Sequence, residues 1–228
     1  MIEFLLLDLD DTILDFHMQE HFAIRRTLSA VGVEPTDDVC DLYSKINLRH
    51  WKMLETGEMT REKLAWHRFL ELFEALEVEA DPHKTAQLYW ENLATGHYFL
   101  PGAEEAVKAL AKKYKLYMVT NGTASVQHSR IASAGLAPYF AGIFISQEIG
   151  ADKPAKAYFE SCFAQIPSFA QEKAMIIGDS LSSDIRGGKN AGIATCWINP
   201  KGKIAPAENK PEYEIKSITE LEALLETL

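Results

Sequence analysis

Short apolar segments recur along this chain and are separated by longer stretches in which apolar residues keep a helical spacing. Apolar runs of four to six residues bounded by polar residues are typical of buried parallel strands. The alternation of strand and helix predicts an α/β fold built on a doubly wound parallel sheet, a Rossmann-like core. The predicted strands are residues 4–9, 116–120, 142–146, 174–178 and 194–198, and the predicted core helices are residues 103–114, 124–134, 155–165 and 184–191.

One long gap interrupts the alternation, since roughly a hundred residues separate the first two predicted strands and a crossover needs far fewer. Apolar residues in this gap follow a helical period, for example at Leu42, Ile46 and Trp51. Gly57 can end one helix there, and Asp81 followed by proline can begin another. We therefore predict a helical-bundle domain of about four helices at residues 15–96, inserted into an α/β core formed by residues 1–14 and 97–228.

Composition narrows the classes of function. The formal net charge of −10 offers no basic face for nucleic acid, so we expect a small-molecule substrate. Three cysteines without CxxC spacing indicate neither a disulfide framework nor a zinc site, which favours a reducing cytoplasm. No apolar run approaches the roughly 18 residues of a membrane span, so we expect no membrane partner. The sequence does not indicate an oligomeric state.

Polar residues follow the predicted strands at the points where catalytic sites of open α/β sheets form. Together they predict one site that combines carboxylates, a hydroxyl group and an ammonium. The first strand leads into Asp8-Leu9-Asp10-Asp11-Thr12, the second into Thr120-Asn121-Gly122, the third is followed by Lys153-Pro154, and the fourth leads into Gly178-Asp179-Ser180, with Asp184 shortly after.

The carboxylates among these residues need a compensating charge, because like charges that converge on one edge repel strongly. A divalent cation provides it. An all-oxygen ligand set without His or Cys favours a hard metal, and a site shared with phosphate suits Mg²⁺. The predicted metal-site residues are Asp8, Asp10, Asp179 and Asp184.

In their order and spacing these four motifs resemble the haloacid dehalogenase (HAD) superfamily, and the resemblance spans essentially the whole chain. The helical insertion resembles the first type of cap domain in that superfamily. The resemblance implies that Asp8 is a nucleophile that forms an aspartyl-phosphate and that Asp10 is the general acid/base. It also implies phosphoryl binding by Thr120, Asn121 and Lys153, a metal ligand at Asp179, and a second acid at Asp184 that orients the metal site.

Asp10 favours phosphate ester chemistry over dehalogenation, because dehalogenases of this superfamily generally lack an acid at that position. Three stretches, residues 15–16, 54–61 and 190–197, resemble bacterial pyrimidine 5′-nucleotidases. We therefore expect a Mg²⁺-dependent phosphatase acting on a small phosphate ester, with a nucleoside 5′-monophosphate as the predicted substrate.

Other functions stay open at this point. A sugar phosphate phosphatase or a phosphomutase of the same superfamily would use the same motifs. A receiver-like switch also holds a phosphoryl group on an aspartate, but Asp10 and a large helical domain favour an enzyme. The seven histidines show no pairing that indicates a metal site, and arginines such as Arg68 are expected on solvated helix faces.

Overall fold

The computed structural model describes residues 1–228, and its largest element is a six-stranded sheet with strand order β3-β2-β1-β4-β5-β6. Every neighbouring pair is parallel. The predicted doubly wound α/β fold is therefore confirmed. The strands are β1 (Phe4–Leu7), β2 (Lys115–Thr120), β3 (Gly142–Ile145), β4 (Ala174–Gly178), β5 (Ala194–Ile198) and β6 (Tyr213–Ile215).

β1 lies in the middle of the sheet because all four of its residues are apolar and none is exposed to solvent. Leu5 pairs with Leu116 of β2 on one side and with Met175 of β4 on the other. The chain proceeds outward from β1 to β3 and then returns to build β4, β5 and β6 on the opposite side. The strand order thus reverses between β1 and β4, and ligand sites in open sheets form at such a reversal.

Successive residues of β1 serve two separate hydrophobic cores, as expected for a strand with helices on both faces. Leu5 and Leu7 belong to one buried cluster that includes Val107 of the helix Ala103–Leu110. Leu6 belongs to the other, which includes the fully buried Phe159. The helices that cover the sheet are α5 (Ala103–Leu110), α6 (Ala124–Ser133), α7 (Ser146–Ile149), α8 (Lys156–Phe163), α9 (Arg186–Ala191) and α10 (Leu221–Leu225).

A second compact unit comprises residues 17–96, while residues 1–16 and 97–228 form the unit that contains the sheet. The second unit is helical. Three of its four helices begin where the side chains of Thr36, Thr60 and Asp81 accept hydrogen bonds from backbone N–H groups of the first turn. They are α1 (Phe16–Ala30), α2 (Asp37–Glu55), α3 (Arg61–Leu76) and α4 (Pro82–Leu93), with the first residue of α1 assigned to the sheet unit.

The core of the helical unit contains an aromatic cluster, in which Tyr43 stacks on Phe69 with ring centroids 5.2 Å apart. Arg68 lies beside this cluster and is 2% exposed, so the expectation that it occupies a solvated helix face is wrong. Its guanidinium group donates a 2.7 Å hydrogen bond to Asn47 and lies 4.8 Å from the ring centroid of Tyr89. The adjacent polar and aromatic groups hold this charge inside the bundle.

Several boundaries differ from the sequence prediction. The strand β6 was not predicted, since it has only three residues and one of them is exposed. The predicted helix at 184–191 is divided, because a π-helical turn over Leu181–Ile185 precedes α9. No helix in the structure is both long enough and apolar enough to cross a membrane.

Candidate active site

The buried ammonium group of Lys153 lies among charged and polar atoms at the carboxyl ends of the central strands. Its Nζ donates to Asp8 Oδ1 at 2.6 Å, to Asp184 Oδ1 at 2.7 Å and to the backbone oxygen of Val119 at 2.7 Å. Burial alone would lower the pKa of Lys153, but the carboxylates of Asp184 and Asp8 outweigh this effect and raise it. The side chain is therefore held charged and directed at Asp8.

Asp8 follows β1 directly and is 6% exposed. Burial raises its pKa to about 8, and the nearby carboxylates of Asp184 and Asp10 add to that rise while Lys153 opposes it. Asp179 follows β4, and its pKa lies well above the usual range, first because of burial and then because of Asp184 and Asp8. One ammonium group does not balance this much buried negative charge.

Asp8, Asp179 and Asp184 each direct a carboxylate oxygen into a small region in which these oxygens lie within 4.8 Å of one another. The residues fit a hard divalent cation, since carboxylate oxygens are the ligands that such ions prefer and a cation would offset the unbalanced charge. Mg²⁺ held there would act as a Lewis acid and stabilise negative charge on oxygen atoms bound in the same site.

Asp10 lies outside this group of three, although the sequence had placed it among the metal-site residues. Its side chain accepts two hydrogen bonds from helix α6, one from Arg130 Nη1 to Oδ1 at 2.5 Å and one from Gln127 Nε2 to Oδ2 at 2.9 Å. Both oxygens are thus engaged. The carboxylate of Asp10 is therefore held by side chains of α6 and not by the carboxylate cluster around Lys153, which consists of Asp8, Asp179 and Asp184.

Arg130 and Gln127 are functional candidates that the sequence reasoning missed. Arg130 is completely buried, and its Nη1 also donates to Gln127 Oε1 at 2.9 Å. Its guanidinium lies 5.8 Å from the ring centroid of Phe16. The two residues are three apart on a helix that starts just after the Thr120-Asn121-Gly122 motif, so they share one face. This three-residue spacing on a predicted helix was the sequence signal that could have identified the two residues as a pair.

The predicted phosphate-binding residues Thr120 and Asn121 make different contacts. The Thr120 hydroxyl accepts a 2.9 Å hydrogen bond from Gln127 Nε2. The Asn121 amide group pairs with the backbone of Lys153, accepting from its N–H at 2.9 Å and donating to its carbonyl at 2.8 Å. Asn121 therefore fixes the backbone that carries the Lys153 side chain.

The Asp184 carboxylate packs directly over Gly178. A Cβ atom added at Gly178 would lie 2.2 Å from Asp184 Oδ2, so the close approach requires a glycine. The same Oδ2 accepts a 3.1 Å hydrogen bond from the backbone of Ser180. Trp197 holds the neighbouring loop, since its indole N–H donates to the Asp179 carbonyl at 2.7 Å.

Asp11 has a structural role in the turn after β1. Its φ of 55° lies in the left-handed region, which aspartate and asparagine tolerate better than most residues. Its Oδ1 accepts a 3.0 Å hydrogen bond from the backbone N–H of Phe16. The side chain thereby connects the end of the motif to the start of α1.

The residues and fold of this site agree with a comparison of the sequence with protein families. The family model for haloacid dehalogenase-like hydrolases matches residues 2–192. The chain belongs to this family of hydrolases. Other members align with nearly the whole of this HAD-like hydrolase. The HAD-hydrolase YfnB of Bacillus subtilis is 41% identical over 97% of this chain and 94% of its own length. The pyrimidine 5′-nucleotidase PynA of Streptococcus pneumoniae is 39% identical over 96% of this chain and 93% of its own.

A third relative, the pyrimidine 5′-nucleotidase YjjG of Escherichia coli, is 31% identical over 98% of this chain and 97% of its own. Among solved structures, the orthorhombic crystal form of YfnB bound to magnesium matches this HAD-like hydrolase with a TM-score of 0.94 and 40% identity, covering 98% of both chains. The similarity therefore covers the helical insertion as well as the sheet.

Proposed function

We propose that this hydrolase is a Mg²⁺-dependent 5′-nucleotidase that acts through an aspartyl-phosphate on Asp8 and prefers pyrimidine nucleoside 5′-monophosphates. The observation that carries the chemistry is the contact of Lys153 with Asp8, beside a group of three carboxylates, two of them buried and one half-buried, at the reversal of strand order. The nucleotide preference is supported by full-length similarity to the pyrimidine 5′-nucleotidases PynA and YjjG.

In the proposed first step, an Asp8 carboxylate oxygen attacks the phosphorus atom and the bond from phosphorus to the leaving oxygen breaks. Asp10 donates a proton to that oxygen, which leaves as the nucleoside hydroxyl. Lys153 stays bonded to Asp8 Oδ1, so it holds the carboxylate in place and balances charge on the transferring group.

In the second step, water attacks the phosphorus and the bond to Asp8 breaks. Asp10, now ionised, accepts a proton from that water, which releases inorganic phosphate and restores both side chains. The hydrogen bonds from Arg130 and Gln127 fix the Asp10 carboxylate beside the turn that leads from Asp8, and they favour the ionised form that accepts the proton in this step.

We propose Mg²⁺ as the cofactor, with Asp8, Asp179 and Asp184 as the residues that hold it. Their clustered oxygens and the elevated pKa values of Asp8 and Asp179 support the assignment. We also propose a cytoplasmic location, which the three buried and unpaired cysteines support.

An initial-rate screen with Mg²⁺ tests the substrate assignment. It compares uridine, thymidine, cytidine and adenosine 5′-monophosphates with hexose phosphates and an aryl phosphate, and it uses the Asp8→Asn variant as the control for contaminating phosphatase. We expect the highest kcat/KM with the pyrimidine nucleotides. If a sugar phosphate had a kcat/KM at least tenfold above that of every nucleotide, a difference of about 1.4 kcal/mol in transition-state binding, the nucleotidase assignment would be excluded. The protein would then be a phosphatase with a different substrate.

A further inference from the structure

We propose that helices α2 and α3 of the helical unit carry a second metal site, formed by His50, His67 and Glu71 and suited to Zn²⁺. The sequence had given no pairing among the histidines. The fold brings these residues together because His67 and Glu71 are four apart on α3 and therefore share a face, and His50 of α2 packs against that face. The proposal is independent of the proposed function.

The distances between the donor atoms fit a tetrahedral ion. His50 Nε2 lies 3.1 Å from His67 Nδ1 and 3.7 Å from Glu71 Oε2, and one ligand atom from each of the three residues lies within 4.8 Å of the others. With zinc bonds of about 2.0–2.1 Å, two ligands on a tetrahedron are about 3.3 Å apart. The three groups can therefore bind one ion with small adjustments.

The tautomer of His50 favours metal binding. Its Nδ1 lies 2.8 Å from the backbone oxygen of Ile46, which can only accept, so Nδ1 carries the hydrogen. Nε2 of the neutral ring then presents a lone pair towards His67. Metal-binding histidines characteristically have this hydrogen bond to a carbonyl on the opposite ring nitrogen.

Glu71 is oriented in a similar way. Arg49 forms an ion pair with its Oε1, which leaves Oε2 as the oxygen that faces His50. Two of the three ligands thus have an outer partner that fixes their direction, as is typical of metal sites. Water can supply the fourth ligand, because His67 and Glu71 are both partly exposed.

The nitrogen ligands decide which metal fits. Two imidazoles and one carboxylate suit Zn²⁺ and related transition metals, whereas Mg²⁺ prefers oxygen ligands. This makes the site chemically different from the carboxylate cluster around Lys153. A bound ion would connect α2 to α3 and stabilise the helical unit, since a ligand that binds only the folded state raises its stability.

Without metal, the same geometry would be a hydrogen bond in which the His67 ring donates to His50 Nε2. The two arrangements are distinguished by metal titration of the untagged full-length protein. Zn²⁺ is titrated in excess Mg²⁺ against a chromogenic chelator, and Co²⁺ is added separately as a spectroscopic probe. The variants are His67→Gln and Glu71→Gln. The control is His83→Gln, which removes an exposed histidine of the same unit outside the cluster.

We expect one Zn²⁺ equivalent to bind wild type and His83→Gln at least tenfold more tightly than His67→Gln or Glu71→Gln. Saturating Zn²⁺ should raise the melting temperature of the first two proteins by roughly 5 °C more than that of the others. Co²⁺ should give visible absorption of a four-coordinate site in the same two proteins. Any Zn²⁺ that binds to the carboxylate cluster around Lys153 does so equally in all four proteins, so it does not affect the difference between them.

Equal Zn²⁺ affinity in all four proteins would overturn the proposal and leave a hydrogen bond between the two histidines. Circular dichroism of the metal-free proteins checks that each variant folds. If His67→Gln does not fold, Glu71→Gln decides the question, because glutamine keeps the size of the side chain and removes the charged ligand. Unchanged Zn²⁺ binding in a folded Glu71→Gln variant would then refute the site.

Discussion

Arg130 and Asp10 are joined by a 2.5 Å hydrogen bond, although they are 120 residues apart in the sequence. The arginine is completely buried, and two of its nitrogen atoms, Nε and Nη2, have no hydrogen-bond partner. A buried guanidinium group that is only partly satisfied costs stability, so its presence calls for an explanation such as a functional role. The function that its contacts indicate is to hold Asp10 in one orientation.

Arg130→Lys should therefore lower kcat by roughly tenfold to a hundredfold with a smaller effect on KM, since lysine keeps the charge but its shorter side chain cannot place a donor where Arg130 Nη1 contacts both Asp10 and Gln127. Steady-state kinetics with a nucleotide and with an aryl phosphate measure the effect. Arg26→Lys, on the helical unit, is the matched control and should behave as wild type. Wild-type kcat in a folded Arg130→Lys protein would show that Asp10 does not depend on this contact.

The metal assignment predicts that exhaustive chelation silences the enzyme and that Mg²⁺ restores it. Ca²⁺ should be a poor substitute, because its larger and looser coordination shell misplaces nucleophile and phosphate. Asp179→Asn should raise the Mg²⁺ concentration needed for half-maximal rate, since it removes a charged ligand from a site with few protein ligands. Activity as a function of Mg²⁺ concentration measures both effects.

Full activity after chelation would contradict a role for the metal. An unchanged Mg²⁺ requirement in Asp179→Asn would instead leave the metal in place and make Asp179 structural. Ser182→Ala is the control for changes in the same loop, since the Ser182 hydroxyl contacts only the Ser180 hydroxyl among the hydrogen bonds of this turn.

Gly178→Ala is predicted to damage both stability and activity. The new methyl group would lie 2.2 Å from Asp184 Oδ2, so either the carboxylate or the strand end must move. We expect a loss of about 1–3 kcal/mol in the free energy of unfolding, typical of an overpacked interior, together with a large fall in kcat. Thermal unfolding and initial rates check both. A variant with the wild-type melting temperature and rate would contradict the close packing.

The sheet could be predicted from the sequence because its central strands are continuous apolar runs, and strand ends in a parallel sheet share one edge. The same rule explains why the structure brings Asp8, Lys153, Asp179 and Asp184 together. Asp8 and Asp179 directly follow β1 and β4, so their positions depend little on how the helices pack, whereas Lys153 lies beyond α7 and Asp184 lies in the π-helical turn.

Residues on helices could not be placed in the same way. Arg130 reaches Asp10 only because α6 packs in one register against the sheet, and helical spacing alone does not reveal that register. Arg68 was assigned to a solvated face because its burial depends on neighbours such as Asn47, 21 residues away. The pairing of His50 with His67 likewise depends on the packing of α2 against α3. Tertiary contacts decided all three.

The most direct test of the account is the turnover of Asp8→Asn, measured at saturating Mg²⁺ and compared with Asp11→Asn. Both variants make the same chemical change within one motif, but Asp11 serves the turn, where asparagine keeps the acceptor oxygen and tolerates a positive φ. We predict that Asp11→Asn retains most of the wild-type kcat and that Asp8→Asn falls below about 1%, since the amide is no longer a nucleophile. A folded Asp8→Asn protein with turnover above that level would contradict the aspartyl-phosphate mechanism.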